Sequence, residues 1–127
     1  MENFYLIHSC EIYKFKAYLN MGNAEVIKKF HEINRKEILT DKFILVLESV
    51  KKGIANKSQW NWEDSTPLGE VYAIKVSEHR FYTLVIISNG VKELFISRYG
   101  KKESNTNDKK LTATIKSISK IEIQKPL

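Results

Sequence analysis

The chain has a single cysteine, Cys10, which excludes an internal disulfide framework and an all-cysteine metal site. Its longest uninterrupted apolar run is Phe43 to Leu47, far short of the ~20 residues that cross a bilayer. The first residues, MENFYLIHSC, place an acidic Glu2 and no basic residue ahead of a short apolar stretch, so no secretory signal is expected. Arginine is scarce: against 18 lysines stand only Arg35, Arg80 and Arg98. A planar, bidentate, permanently charged group is therefore kept for few positions, two of them in the second half. There is no glycine-rich phosphate loop, paired-carboxylate constellation or nucleophile elbow, and His8, His31 and His79 are too scattered to argue a metal site. No metal or cofactor is expected. With membrane-spanning, secreted and cysteine-clasped proteins set aside, a cytoplasmic protein is the expectation.

What is present suits one globular domain, 1–127: 127 residues, 43% hydrophobic and 28% charged. The formal net charge of +6 is unevenly spread. Residues 1–74 carry 10 basic and 10 acidic side chains, whereas residues 75–127 carry 11 basic against 5 acidic. A basic surface confined to one part of a fold suits a polyanionic partner, RNA or an acidic protein segment, and charge alone suits equally a lysine coat on an exposed face.

The alternation Tyr13 to Leu19 reads as a half-buried strand, ended by Met21-Gly22-Asn23. Val26, Ile27, Phe30 and Ile33 recur at helical spacing from Ala24 to about Asn34. A second helix carries Leu39, Phe43, Val46, Leu47 and Val50 and stops at Gly53; its start lies at Asn34 to Lys36 or at Thr40-Asp41. Ala55 to Leu68 reads as a loop in which Trp60 and Trp62 are either a lid over the helices or a surface for a partner or a stacked base. Three strands follow, Gly69 to Val76, Arg80 to Ile87 and Val91 to Arg98, the last two joined by Asn89-Gly90, the preferred type I′ turn. Leu111, Ile115 and Ile118 suggest a closing helix, capped by Thr106 or Asn107, and Lys120 to Gln124 suits a short strand. The fold class expected is α+β: a small antiparallel sheet built from one strand, a helical hairpin and a three-stranded meander.

A two-residue Asn89-Gly90 turn sets Ser88 opposite Val91. Arg80 then faces Tyr99, Tyr82 faces Ser97, and Phe81 faces Arg98. Arg80, Tyr82, Ser97 and Tyr99 would share one face, with Arg98 on the other unless a bulge intervenes. An arginine beside two phenols, near Lys75, Lys101 and Lys102, can hold a phosphodiester. The alternative is an arginine stacked on tyrosines at a sheet edge. His79, at the turn before Arg80, is a candidate acid or base. His31 reads as solvent-facing and Cys10 as a small buried residue.

The segments GEVYAIKVSEHRFYTLVI and LFISRYGKKESNTNDKK resemble the strand pair and the strand exit of the RelE/ParE toxin superfamily, most closely its HigB-like branch, over residues 13–120. That resemblance implies a RelE-like fold and a bacterial, ribosome-dependent endoribonuclease that cuts mRNA, inhibits translation and is neutralised by a cognate antitoxin. On that reading Arg80, Tyr99 and His79 are the candidate catalytic residues and Lys75, Tyr82, Arg98, Lys101 and Lys102 the candidate RNA contacts, while Trp60 and Trp62 stay open between a lid and a partner-facing surface. The match is incomplete: Lys75 stands where the family has arginine, and Ile121 to Leu127 offers only Glu122 as a terminal acid or base. Two other readings are a catalytically silent or gyrase-directed relative, and a phage or mobile-element protein of unrelated function. Arg80 and Tyr99 on opposite faces would favour the last.

Overall fold

A computed structural model describes residues 2–102 and 109–125. The elements run β1 (Glu2–Cys10), β2 (Phe15–Asn20), α1 (Ala24–Asn34), α2 (Glu37–Lys51), β3 (Trp60–Ser65), β4 (Glu70–Val76), β5 (His79–Ser88), β6 (Val91–Lys101), α3 (Lys109–Ser117), a 3-10 turn (Ile118–Lys120) and β7 (Ile123–Gln124). The strands form one sheet in the order β3-β4-β5-β6-β2-β1-β7. Pairing is antiparallel except for β2 with β6 and β1 with β7, which are parallel.

This overturns the expected RelE-like architecture. The chain builds a seven-stranded mixed half-barrel, not a small antiparallel sheet. The aromatic N-terminus holds two strands, because Lys14 takes φ 50° and the chain reverses there. The supposed loop 55–68 contains β3, whose Trp60 stacks on Tyr72 with ring centroids 4.6 Å apart. The polar Asn61 between the tryptophans and Glu63, Asp64 and Ser65 after them hid the strand, since an edge strand buries only part of one face.

The helices fall where their periodicity put them. Asn23 caps α1, its side chain accepting from Val26 N at 3.0 Å. The break lies at Arg35-Lys36, and Thr40 does not start α2; its hydroxyl donates to Ile33 O at 2.9 Å and ties the two helices. Gly53, at φ 72°, ends α2, and Ile54 N donates back to Ser49 O. The expected caps at 106 and 107 lie outside the described residues.

The sheet is buried on both sides. Val26, Ile33, Phe43, Val46 and Val50 of the helices cover Phe15, Leu19, Ile74, Phe81, Leu94 and Ile96. On the reverse face Ile118 and Ile121, with Leu111 and Ile115 beside them, cover Tyr18, Ala73, Tyr82, Leu84 and Phe95.

Near the end of β2 these layers are pinned by one polar knot. Asn20 is fully buried; its amide donates to Ser97 O at 3.1 Å and to Glu2 Oε1 at 2.8 Å, and its oxygen accepts from Gly22 N at 3.0 Å. Glu2 also grips Arg98 with both carboxylate oxygens, the Oε2 to NH2 distance being 3.1 Å, and Arg98 Nε reaches Ser117 Oγ at 3.1 Å. One carboxylate thus connects β1, β2 and β6, and through Arg98 reaches the end of α3. Burial by itself would raise the Glu2 carboxyl; the hydrogen bonds from Arg98 and Asn20 and the Arg98 charge outweigh it and hold the carboxyl below its ordinary value.

Asn20→Ala removes two donors from buried acceptors and is expected to cost about 2–3 kcal/mol in urea unfolding. Because the folded-state pKa of Glu2 is depressed, its contribution is complete above its unfolded value of 4.5 and is lost as pH falls through the folded value. Amides of β1 are expected to exchange faster with acidification in that window, and Glu2→Gln to remove that dependence.

Candidate functional site

The β5–β6 hairpin turns at Asn89-Gly90 as its sequence dictates, with φ 52° and 78°, and the pairs from Ser88↔Val91 to Thr83↔Ile96 follow the expected register. Then the register shifts: a bulge adds Ser97, and Tyr82 faces Arg98, Phe81 faces Tyr99, Arg80 faces Gly100 and His79 faces Lys101. One extra residue moves every later side chain to the other face. Tyr99 turns toward α1 and packs its ring on Phe81, centroids 5.2 Å apart, while Arg98 turns toward α3.

The expected cluster is therefore divided. Arg80 and Tyr99 lie on opposite faces. Tyr82 is 2% exposed in the reverse core, against Gly100, and Arg98 is held by Glu2, so neither stands ready for RNA. Ser97 is buried in the bulge. In place of the Arg80–Tyr99 pair the bulge joins His79 to Tyr99, with Nδ1 2.5 Å from the phenol oxygen.

That pair sits at the sheet end formed by the β4–β5 turn and the close of β6. Ser77 takes φ 56° in the turn, and Arg80 NH1 donates to Ser77 O at 2.7 Å and to His79 O at 3.0 Å. Lys102 N donates to Glu78 O at 2.9 Å, which fixes the end of β6 beside the turn. Lys75 is the β4 partner of Arg80. Lys29 of α1 lies over the Tyr99 ring, 5.6 Å from its centroid. The exposed Lys101 and Lys102 complete a basic rim.

Burial pushes the Tyr99 phenol up to about 12, with the charges of Glu78, Glu32 and Glu25 adding to it, so it stays protonated near neutrality. Burial lowers His79, and the Lys29, Lys101 and Lys36 charges lower it further against the opposing Glu78. The imidazole is consequently neutral at pH 7. When its Nδ1 carries the proton and donates to the phenol oxygen, Nε2 holds the lone pair of a base. Lys75 is lowered by burial first and then by the Arg80 charge, which makes its ammonium a better acid than a free lysine. Glu78 is held at about 2, chiefly by the Ser77 hydroxyl and its own backbone N–H.

Trp60 is half-buried on Tyr72, while Trp62 is 51% exposed with its indole 3.5 Å from Glu70. Gln59 O accepts from Lys75 N at 2.8 Å, so the start of β3 borders the basic rim. Among the other candidates, His8 lies 3.9 Å from Glu48, His31 is exposed, and Cys10 is half-buried instead of fully covered. Among the described residues no group of three or more His, Cys, Asp or Glu is placed to hold a metal, and no helix is long and apolar enough to cross a membrane. Glu2, Asn20 and Lys29 carry no motif that marks them in the sequence. Only the isolated charge of Glu2 in an apolar strand gives any signal.

Since the folded-state pKa of His79 is depressed, stability linked to it is complete above its unfolded value of 6.5 and is lost as pH falls through the folded value. An NMR titration of the ring is expected to give a midpoint below 6.5, and His79→Gln to remove the matching loss of stability on acidification.

No protein-family model, curated protein or solved structure matches this chain.

Proposed function

We propose that the chain cleaves RNA at the basic end of its sheet. The carrying observation is the hydrogen-bonded His79–Tyr99 pair, with Lys29 over the phenol ring and Lys101 opposite His79. Neutral His79 takes the proton of a ribose 2′-OH, whose oxygen attacks the adjacent phosphorus. Lys29 and Lys101, on the same side as the pair, neutralise the phosphate as charge develops. The P–O5′ bond breaks, and the 5′-oxygen takes a proton from water, leaving a 2′,3′-cyclic phosphate and a 5′-hydroxyl. Tyr99 orients the imidazole. The target as mRNA on translating ribosomes, the cytoplasmic setting and the cognate antitoxin draw on the sequence motifs alone, not on the architecture.

A second reading, a protein of function unrelated to RNA cleavage, is favoured by the register that parts Arg80 from Tyr99 and by Tyr99 being only 5% exposed. The two are separated by incubating the purified chain with end-labelled mRNA on translating ribosomes. Cleavage is expected to leave cyclic-phosphate ends, to fall about 10²- to 10⁴-fold in His79→Ala, and to have an acid limb below pH 6.5. Expression in bacteria is expected to arrest growth, with His79→Ala relieving it. The absence of both cleavage and RNA binding would establish the second reading, and retained binding without any cut strand would point to a catalytically silent binding domain.

A further inference from the structure

β2 ends at Asn20 and last pairs with β6 at Leu19↔Ile96, so beyond Ile96 the β2 side of β6 borders a cleft instead of a strand. The cleft holds about 450 Å³ between the start of α1 and the side of α3. Arg98 and Tyr99 of β6, Asn23 and Glu25 at the start of α1, and Ala113 and Thr114 of α3 line it, and the Glu25 carboxylate is near enough for its charge to raise the Tyr99 phenol. It therefore shares Tyr99 with the His79 pair while opening on the other side of that phenol.

A carboxylate is an unexpected wall for a site meant only for a polyanion, because it repels phosphate. It suits a flat ligand edge with two parallel N–H donors. Guanine offers such an edge through N1–H and N2–H; adenine, cytosine and uracil each place an acceptor beside their donor and leave one carboxylate oxygen facing a lone pair. The volume accommodates a nucleotide. Arg98 stays out of the recognition, because Glu2 holds its guanidinium.

We propose that this cleft is a nucleobase subsite that selects guanine through Glu25, placing the nucleotide so that its backbone passes the His79–Tyr99 pair. The inference rests on the RNA-cleaving reading for its purpose, but binding is measurable without any reaction.

The test titrates 5′-GMP, 5′-AMP, 5′-CMP and 5′-UMP into the isotope-labelled full chain. It is repeated in Glu25→Gln, in Ala113→Trp and in Ile87→Ala, an exposed position at the far end of β5, each checked for an unchanged fold by circular dichroism. Expected are amide shifts at Asn23, Tyr99, Thr114 and Ser117, with GMP binding about tenfold tighter than the other three. Glu25→Gln should erase the preference, Ala113→Trp should block binding by filling the cleft, and Ile87→Ala should leave both intact. Equal binding of all four nucleotides, or shifts confined to Lys75, Lys101 and Lys102, would overturn the subsite. Selective GMP binding by a chain that cuts no RNA would retain the subsite and defeat the ribonuclease reading. RNA cleavage without cleft binding would do the reverse.

Discussion

The bulge at Ser97 is the constraint on which the rest of the molecule turns. A bulge is affordable only where something satisfies the backbone groups it takes out of the ladder. Here Asn20 donates to Ser97 O, and the Ser97 hydroxyl donates to Phe95 O at 2.7 Å. With the bulge in place, Tyr99 belongs to the helix side and Arg98 to the α3 side. Without it the two would exchange: a guanidinium would enter the helix-side core, and His79 would have no phenol.

The same knot explains the division of labour among the arginines. Arg98 is a tie between layers, its fork matched to the two oxygens of Glu2, a pairing that a lysine could not reproduce. Arg80 braces a turn through its carbonyls and presents its charge at a sheet end. The basic excess of residues 75–127 is correspondingly divided into charge that holds the fold and charge that faces outward at Lys101 and Lys102. Counting basic residues does not distinguish the two.

Helices α1 and α2 were legible because an apolar stripe at a 3.6-residue period, sustained over several turns, fits no strand, and Asn89-Gly90 was legible because its backbone angles demand those residues. β1 and β3 were not, since neither alternates cleanly: β3 is a mostly polar edge strand, and β1 fully buries only Phe4. The candidate site was half legible. His79 and Tyr99 were both visible as residues, and their juxtaposition was not, because a bulge leaves no mark in the pattern of a strand whose next residues are polar on either face. Ser97, Arg98 and Lys101 satisfy alternation about equally well in both registers. What breaks the tie is Asn20, 77 positions away.

That separation bears on how the chain folds. The turn at Asn89-Gly90 can zip the hairpin from its tip within microseconds, but the zipper reaches Ile96 before anything local tells it which register to follow. The deciding contact requires β2 to dock in parallel across both helices, a closure of high contact order and correspondingly slow. A hairpin slipped by one residue, with Arg98 toward the helices, is the natural trap on this route. Refolding is therefore expected to separate early hairpin formation from a late step in which Tyr99 changes sides, so the candidate chemistry is assembled last.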